Sequence, residues 1–82
     1  MHEAYFVFRS VTRAQRAEQT LERLSPRLLR CPRALAPSGC AYALAVQLSD
    51  APKAVALLRR QGQDYDGPYQ RQKDGGWAVL RI

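Results

Sequence analysis

The chain has 82 residues, with thirteen Lys or Arg against seven Asp or Glu, and carries a net charge of +6. This length predicts one domain over residues 1–82 that buries only about 60% of the surface its unfolded form exposes, which excludes a deep cavity around a large cofactor. We expect a shallow site with no cofactor. The basic charge permits contact with acidic proteins, RNA or anionic small molecules, and equally suits a surface that binds nothing.

No segment predicts export or membrane insertion. A membrane-spanning helix needs about 20 apolar residues, whereas the longest uncharged run, residues 34–49, contains Pro37, Ser38 and Gly39. The apolar stretch Tyr5–Phe8 is too short for a signal peptide. We therefore expect a cytoplasmic protein without a membrane partner.

The first half of the chain predicts a strand, a helix and a second strand. Aromatic and β-branched residues predict a strand near residues 4–9. Thr12 and Gln15 have the spacing of a capping box at the start of a helix over 12–24. The apolar stripe of that helix is Ala14, Ala17, Leu21 and Leu24. Residues 27–31 predict a short second strand.

The second half predicts a loop, a strand, a helix and a hairpin. Residues 32–39 form the loop, and residues 40–48 alternate large and small side chains as a central strand does. A helix is expected over 50–61. Its predicted buried stripe is Ala54, Leu57, Leu58 and Gln61. Residues 69–82 predict a hairpin around Asp74-Gly75-Gly76.

This order of elements predicts a ferredoxin-like α+β sandwich. The order is β-α-β-β-α-β, which places an antiparallel sheet against two helices on one face. The C-terminal hairpin adds one strand to that plan.

Cys40 is the strongest candidate for chemistry. It follows a Pro-Ser-Gly turn at the start of a strand, where a side chain can reach solvent and where Arg33 and loop amides would favour the thiolate. The alternative is that Cys40 is a small buried apolar residue, as many cysteines without a disulfide are.

Cys31 and Arg33 lie at the other end of the same loop. Cys31 is a second thiol, and three states remain open: two separate thiols, a bridge to Cys40, or an attacking and a resolving thiol. Arg33 would bind an anion or lower the pKa of a nearby thiol, or it is one more exposed member of the eleven arginines.

Other kinds of site find little support. The sequence has two cysteines and one histidine, His2, so we expect no metal site. The aromatic residues Tyr5, Phe6, Phe8 and Tyr42 suggest a base-stacking sheet, but the third strand lacks the charged and aromatic motif of RNA-recognition domains. Core packing explains these aromatic residues better, and nucleic acid remains a partner without a motif.

Several segments together resemble one family, the selenium/sulfur carrier-like proteins, over about residues 4–70. The segments are the strand Tyr5–Phe8, the helix with Ala17-Glu18, the Cys31-Pro32-Arg33 segment, and Ser38-Gly39-Cys40 before an apolar strand. In the family a glycine follows the cysteine, and here Ala41 stands at that position.

The resemblance implies that Cys40 carries sulfur or selenium as a persulfide or selenopersulfide. Arg33 would then give electrostatic support and Cys31 would be a second thiol. Donor and acceptor proteins are the implied partners. The alternative function, from the residues alone, is a non-catalytic basic module that binds RNA or a protein.

Overall fold

The computed structural model describes residues 2–36 and 41–82. The elements in chain order are β1 Glu3–Phe8, α1 Val11–Thr20, β2 Arg27–Arg30, β3 Tyr42–Gln47, α2 Ala51–Arg60, β4 Asp66–Arg71 and β5 Trp77–Val79. Short 3-10 turns follow α1 at Glu22–Leu24 and precede α2 at Leu48–Asp50.

The five strands form one antiparallel sheet in the order β2-β3-β1-β4-β5. The first four strands of that order are the ferredoxin-like arrangement, and β5 extends it by a hairpin from β4. The predicted α+β fold and its extra strand are therefore confirmed. Phe8 pairs with Tyr42, which in turn pairs with Arg30, so the ends of β1 and β2 lie beside the start of β3.

The core lies between the two helices and one face of the sheet. Phe6, Phe8 and Leu44 from the sheet pack with Leu21 and Leu58 from the helical layer, and all five are 2% exposed or less. Ala14 and Ala17 of α1 are fully buried in the same cluster. Small residues on the inner face of α1 let this helix approach the sheet closely.

The helix boundaries and stripes differ from the prediction at both ends of α1 and in the buried stripe of α2. The helix α1 ends at Thr20 rather than at residue 24, and a separate 3-10 turn covers Glu22–Leu24. The helix α1 begins earlier than Thr12, because the Ser10 hydroxyl accepts the Arg13 N–H at 3.1 Å. The predicted Thr12–Gln15 capping box is therefore wrong. In α2, Gln61 is exposed and lies beyond the helix, and Val55 is buried instead. A large apolar side chain gains more by burial than a glutamine amide does.

Strand β4 begins at Asp66, three residues before the start of the predicted hairpin over 69–82. Gly67 has φ +99, and the register between β1 and β4 shifts between Tyr5 and Val7. A Cβ atom at Gly67 would lie 2.8 Å from Tyr69 Cδ2 and 3.0 Å from the Tyr5 carbonyl oxygen. A Gly-Pro pair therefore belongs to an irregular strand here, which its composition alone does not reveal.

Candidate functional site: the cysteine loop and its surroundings

The predicted loop leaves the sheet at Cys31 and returns to it at Ala41. The Cys31 N–H donates to the Ala41 carbonyl at 3.1 Å, which continues the β2–β3 pairing by one residue. Residues 32–36 then form a helical turn, in which the Leu35 N–H donates to the Pro32 carbonyl at 2.9 Å. Cys40, the predicted carrier thiol, falls in residues 37–40 and lies outside the described residues.

Cys31 is half-buried at the base of this loop. Its thiol donates to the Pro32 carbonyl, with 3.5 Å between sulfur and oxygen. Burial raises the pKa of the Cys31 thiol, and the negative charge of Asp66 raises it further. Since the thiolate is the nucleophile, these surroundings make Cys31 less reactive near neutral pH than an exposed cysteine.

Arg33 lies exposed in the turn that follows Cys31. The charge that acts on the Cys31 thiol is the carboxylate of Asp66, so the predicted support from Arg33 does not extend to Cys31. Whether Arg33 acts on Cys40 is a question that lies outside the described residues.

The loop shares one end of the molecule with the start of α1 and the end of α2. Strand pairing sets Arg30 and Tyr42 beside Phe8, which leads into α1. The antiparallel path brings the end of α2 and the start of β4 to the same end. We call this region the loop end, and it comprises residues 8–16, 30–36, 41–42 and 59–66.

Charge is unevenly distributed between the loop end and the rest of the protein. The loop end has seven arginines against two aspartates, which leaves five of the six net positive charges there. All seven guanidinium groups are exposed. They belong to Arg9, Arg13, Arg16, Arg30, Arg33, Arg59 and Arg60. Within residues 2–36 and 41–82, the one ion pair joins Arg27 to Glu3, at 2.8 Å, outside the loop end.

Two shallow pockets open at the loop end. One, of about 390 Å³, lies between Arg9, Arg13 and the segment 64–66. The other, of about 400 Å³, lies between Arg13, Arg16 and the turn 61–64. The Gln63 side-chain oxygen is buried beside the second pocket without a hydrogen-bond partner among the described residues. Both pockets are polar clefts suited to a surface contact.

Sequence reasoning singled out Arg33 and missed the other six arginines of the loop end, because all its candidate site residues lay in the segment from Cys31 to Cys40. Arg9, Arg13 and Arg16 surround the start of α1, and Arg59 and Arg60 end α2. Arg13 stands in the first turn of α1 without any carboxylate in that turn. This position disfavours a cation because the N-terminal end of the helix dipole is positive. An arginine near the predicted start of a helix is therefore a feature by which the sequence alone could have marked Arg13.

The aromatic residues follow the core-packing interpretation, with one exception. Phe6 and Phe8 are buried, and Tyr42 packs against the same cluster. Tyr5 points to the opposite face of the sheet, where its ring meets the Trp77 ring edge-on at 5.0 Å. Its hydroxyl donates to Glu3 at 3.0 Å. The four aromatic residues singled out from the sequence therefore form no common stacking surface of RNA-recognition type, which agrees with the preference for core packing over such a surface.

The part of the chain that the structure describes contains no helix long and apolar enough to cross a membrane. Within the same described part of the chain, no three His, Cys, Asp or Glu side chains lie close enough together to hold a metal ion.

The fold defines a small ferredoxin-like α+β protein in which a half-buried thiol, that of Cys31, lies where the chain leaves β2. The model of the family described as "Putative Se/S carrier protein-like" matches residues 3–70. The match spans most of the chain, including the whole segment from Cys31 to Cys40, and the chain belongs to this family. No curated protein and no solved structure gives a significant match.

Proposed function

We propose that this protein is a selenium or sulfur carrier that holds the chalcogen on Cys40 as a persulfide or selenopersulfide. The observation that carries the proposal is the family match, because it spans the loop with both cysteines. A carrier needs an accessible thiol rather than a deep pocket, which agrees with the shallow clefts at the loop end.

The transfer step requires no external oxidant. The Cys40 thiolate attacks the terminal sulfur of a donor persulfide, the donor's S–S bond breaks as the new S–S bond forms, and the donor leaves as a thiolate. The proton of the terminal sulfur stays with the sulfur that is transferred. Selenium would be transferred in the same way, with an S–Se bond to the donor broken as the S–Se bond to Cys40 forms.

The surroundings of Cys31 support a division of roles between the two thiols. A half-buried thiol with a raised pKa is a poor acceptor near neutral pH. Cys31 is therefore proposed as the second thiol, whose thiolate attacks the Cys40 sulfur after transfer: the Cys31–Cys40 disulfide forms as the bond to the outer chalcogen breaks, and hydrosulfide or hydroselenide leaves. Arg33 is proposed to stabilise the Cys40 thiolate.

Alkylation rates as a function of pH test the proposal. The proteins compared are the wild type, Cys31→Ser, Cys40→Ser and Arg33→Ala. Cys40 is expected to react faster than Cys31 at pH 7, and Arg33→Ala is expected to raise the apparent pKa of Cys40. Reaction of Cys40 only after denaturation would contradict the carrier function.

The charge at the loop end favours one alternative function, a non-catalytic module that binds RNA or a protein. Such binding would weaken steeply with salt because counterions are released. Salt-dependent binding to an unrelated RNA, unchanged in Cys40→Ser and accompanied by an unreactive Cys40, would support this alternative over the carrier.

A further inference from the structure

We infer that the loop end is a docking surface for an acidic protein face, so that the donor or acceptor presents its reacting sulfur among carboxylates. This inference rests on the proposed function and names the class of partner that meets the cysteine loop. The surface itself consists of described residues, and its seven arginines come from three segments of the chain.

The stability of the fold explains Arg59 and Arg60, which lie in the last turn of α2, but not the other arginines of the loop end. All seven are exposed, and none belongs to the ion pair found among the described residues. Arg13 occupies the first turn of α1, where a positive charge opposes the helix dipole. A cluster in which Arg13 opposes the helix dipole, and in which no member forms an ion pair with a described residue, is better explained by an external anionic partner.

The size of the cluster favours a protein face over a small anion. The guanidinium groups lie on the β1–α1 segment, on β2 with its turn, and on the end of α2. They cover one end of a molecule that measures 33 × 27 × 19 Å. One small anion contacts a few of them, whereas a protein interface buries about 800 Å² on each partner and can meet all three segments.

Carboxylates fit this surface better than a nucleic-acid backbone does. Asp64 and Asp66 line the pocket beside Arg9 and Arg13. A protein face can present separate carboxylates to the arginines and leave these aspartates uncovered, whereas a continuous row of phosphates would pass over them. Single-stranded nucleic acid also needs exposed aromatic rings on which its bases stack. Among the described aromatic residues of the loop end, Phe8 is buried and Tyr42 packs against the core cluster. Tyr65 packs edge-on against Phe6, with 5.3 Å between the ring centroids.

Chromogenic thiol exchange with matched peptides tests the inference. Each peptide contains one cysteine, blocked as a mixed disulfide with thionitrobenzoate and flanked by glutamates, glutamines or lysines. In a Cys31→Ser background the released thionitrobenzoate reports exchange at Cys40. The glutamate peptide is expected to react about tenfold or more faster than the glutamine peptide at low salt. The lysine peptide is expected to be slowest, and physiological salt should reduce these differences.

Matched charge variants locate the effect. Arg13→Gln with Arg60→Gln removes two charges from the loop end, and Arg23→Gln with Lys53→Gln removes two exposed charges from elsewhere. The first pair should lower the ratio of glutamate to glutamine rates several-fold, and the second should leave it within about twofold. Changes in thiol pKa cancel in this ratio. An equal fall for both pairs would overturn a localised surface.

Further arms distinguish the other partners and the failure of the proposed function. If an unstructured RNA inhibits exchange with the glutamate peptide more strongly than polyglutamate of equal charge does, the inference is overturned in favour of nucleic acid. If the arginines of the loop end accelerate exchange with glutathione disulfide as much as they accelerate exchange with the glutamate peptide, the inference is overturned in favour of small anions.

If Cys40 does not exchange at all, the carrier function fails, and docking is then measured separately by anisotropy of a labelled glutamate peptide without cysteine. Binding that the loop-end pair weakens and the distant pair does not would uphold the surface. Absence of binding would overturn it.

Discussion

The Cys31 N–H donates to the Ala41 carbonyl at 3.1 Å, so the two ends of the cysteine loop are joined by backbone pairing. Closure of the loop therefore does not require a disulfide. Residues 32–36 continue from this base, and the Cys31 side chain lies half-buried there. A loop held at both ends by a sheet is a common way to present a functional side chain.

The Cys31 thiol is expected to titrate above the usual value of about 8.5, because burial and then Asp66 raise its pKa. In the Cys40→Ser variant, alkylation at pH 7 should be slower than that of an unfolded cysteine peptide and should accelerate on denaturation. Asp66→Asn should lower the pKa of Cys31 without restoring the usual value, since burial is the larger cause. A native rate equal to that of the peptide would contradict this environment.

Substitution of Gly67 by alanine should destabilise the fold by about 2 kcal/mol or more. The residue has φ +99, and the new Cβ would lie 2.8 Å from Tyr69 Cδ2. Gly62→Ala is the matched control, since Gly62 has φ +65 but no atom within 4 Å of a new Cβ. Urea denaturation should rank Gly67→Ala as clearly the more harmful substitution, and the reverse order would contradict the close approach of β4 to β1.

Removing an arginine from the start of one helix and removing an arginine from the end of the other are expected to change the free energy of unfolding in opposite directions. Arg13 lies in the first turn of α1, and Arg60 ends α2. Arg13→Gln should raise the free energy of unfolding by about 0.3–1 kcal/mol at low salt, and Arg60→Gln should lower it by a similar amount. Both shifts should shrink in high salt. A loss of stability in Arg13→Gln would mean that Arg13 serves the fold rather than a partner.

The fluorescence of Trp77, the one tryptophan in the chain, should report the titration of Tyr5, whose ring lies 5.0 Å away. Burial raises the pKa of Tyr5, and the hydrogen bond and charge of Glu3 raise it further. Glu3→Gln should therefore shift the fluorescence transition to lower pH.

Because the folded pKa of Tyr5 lies above the unfolded one, its contribution to stability is present below about pH 10 and is lost as the pH rises through the folded pKa. An unchanged transition in Glu3→Gln would contradict the Tyr5–Glu3 contact.

The fold could be predicted because the strongest sequence patterns place the same residues in the core as the structure does. Alternating residues in β3 and the small-residue stripe of α1 both face the core as expected. Local exceptions escaped prediction for physical reasons. Ser10 caps α1 although Thr12 has the better motif, and the Gly67-Pro68 segment belongs to a strand although its composition is typical of a turn.

The candidate site could be predicted in part. The base of the loop at Cys31 and the exposed position of Arg33 follow from the strand and turn pattern. The cluster of arginines at the loop end could not be predicted from the sequence. Arg13 and Arg60 are far apart along the chain, and only the topology of the sheet brings them to the same end of the molecule.

The most direct test of the central claim is tandem mass spectrometry of the protein purified without reductant and blocked with an alkylating reagent. We predict one additional sulfur or selenium atom on the peptide that contains Cys40, its absence after treatment with reductant, and its loss in Cys40→Ser but not in a control that changes Arg23→Gln. A chalcogen found on Cys31 alone, or an unmodified Cys40 after incubation with a persulfide donor, would contradict the proposed carrier.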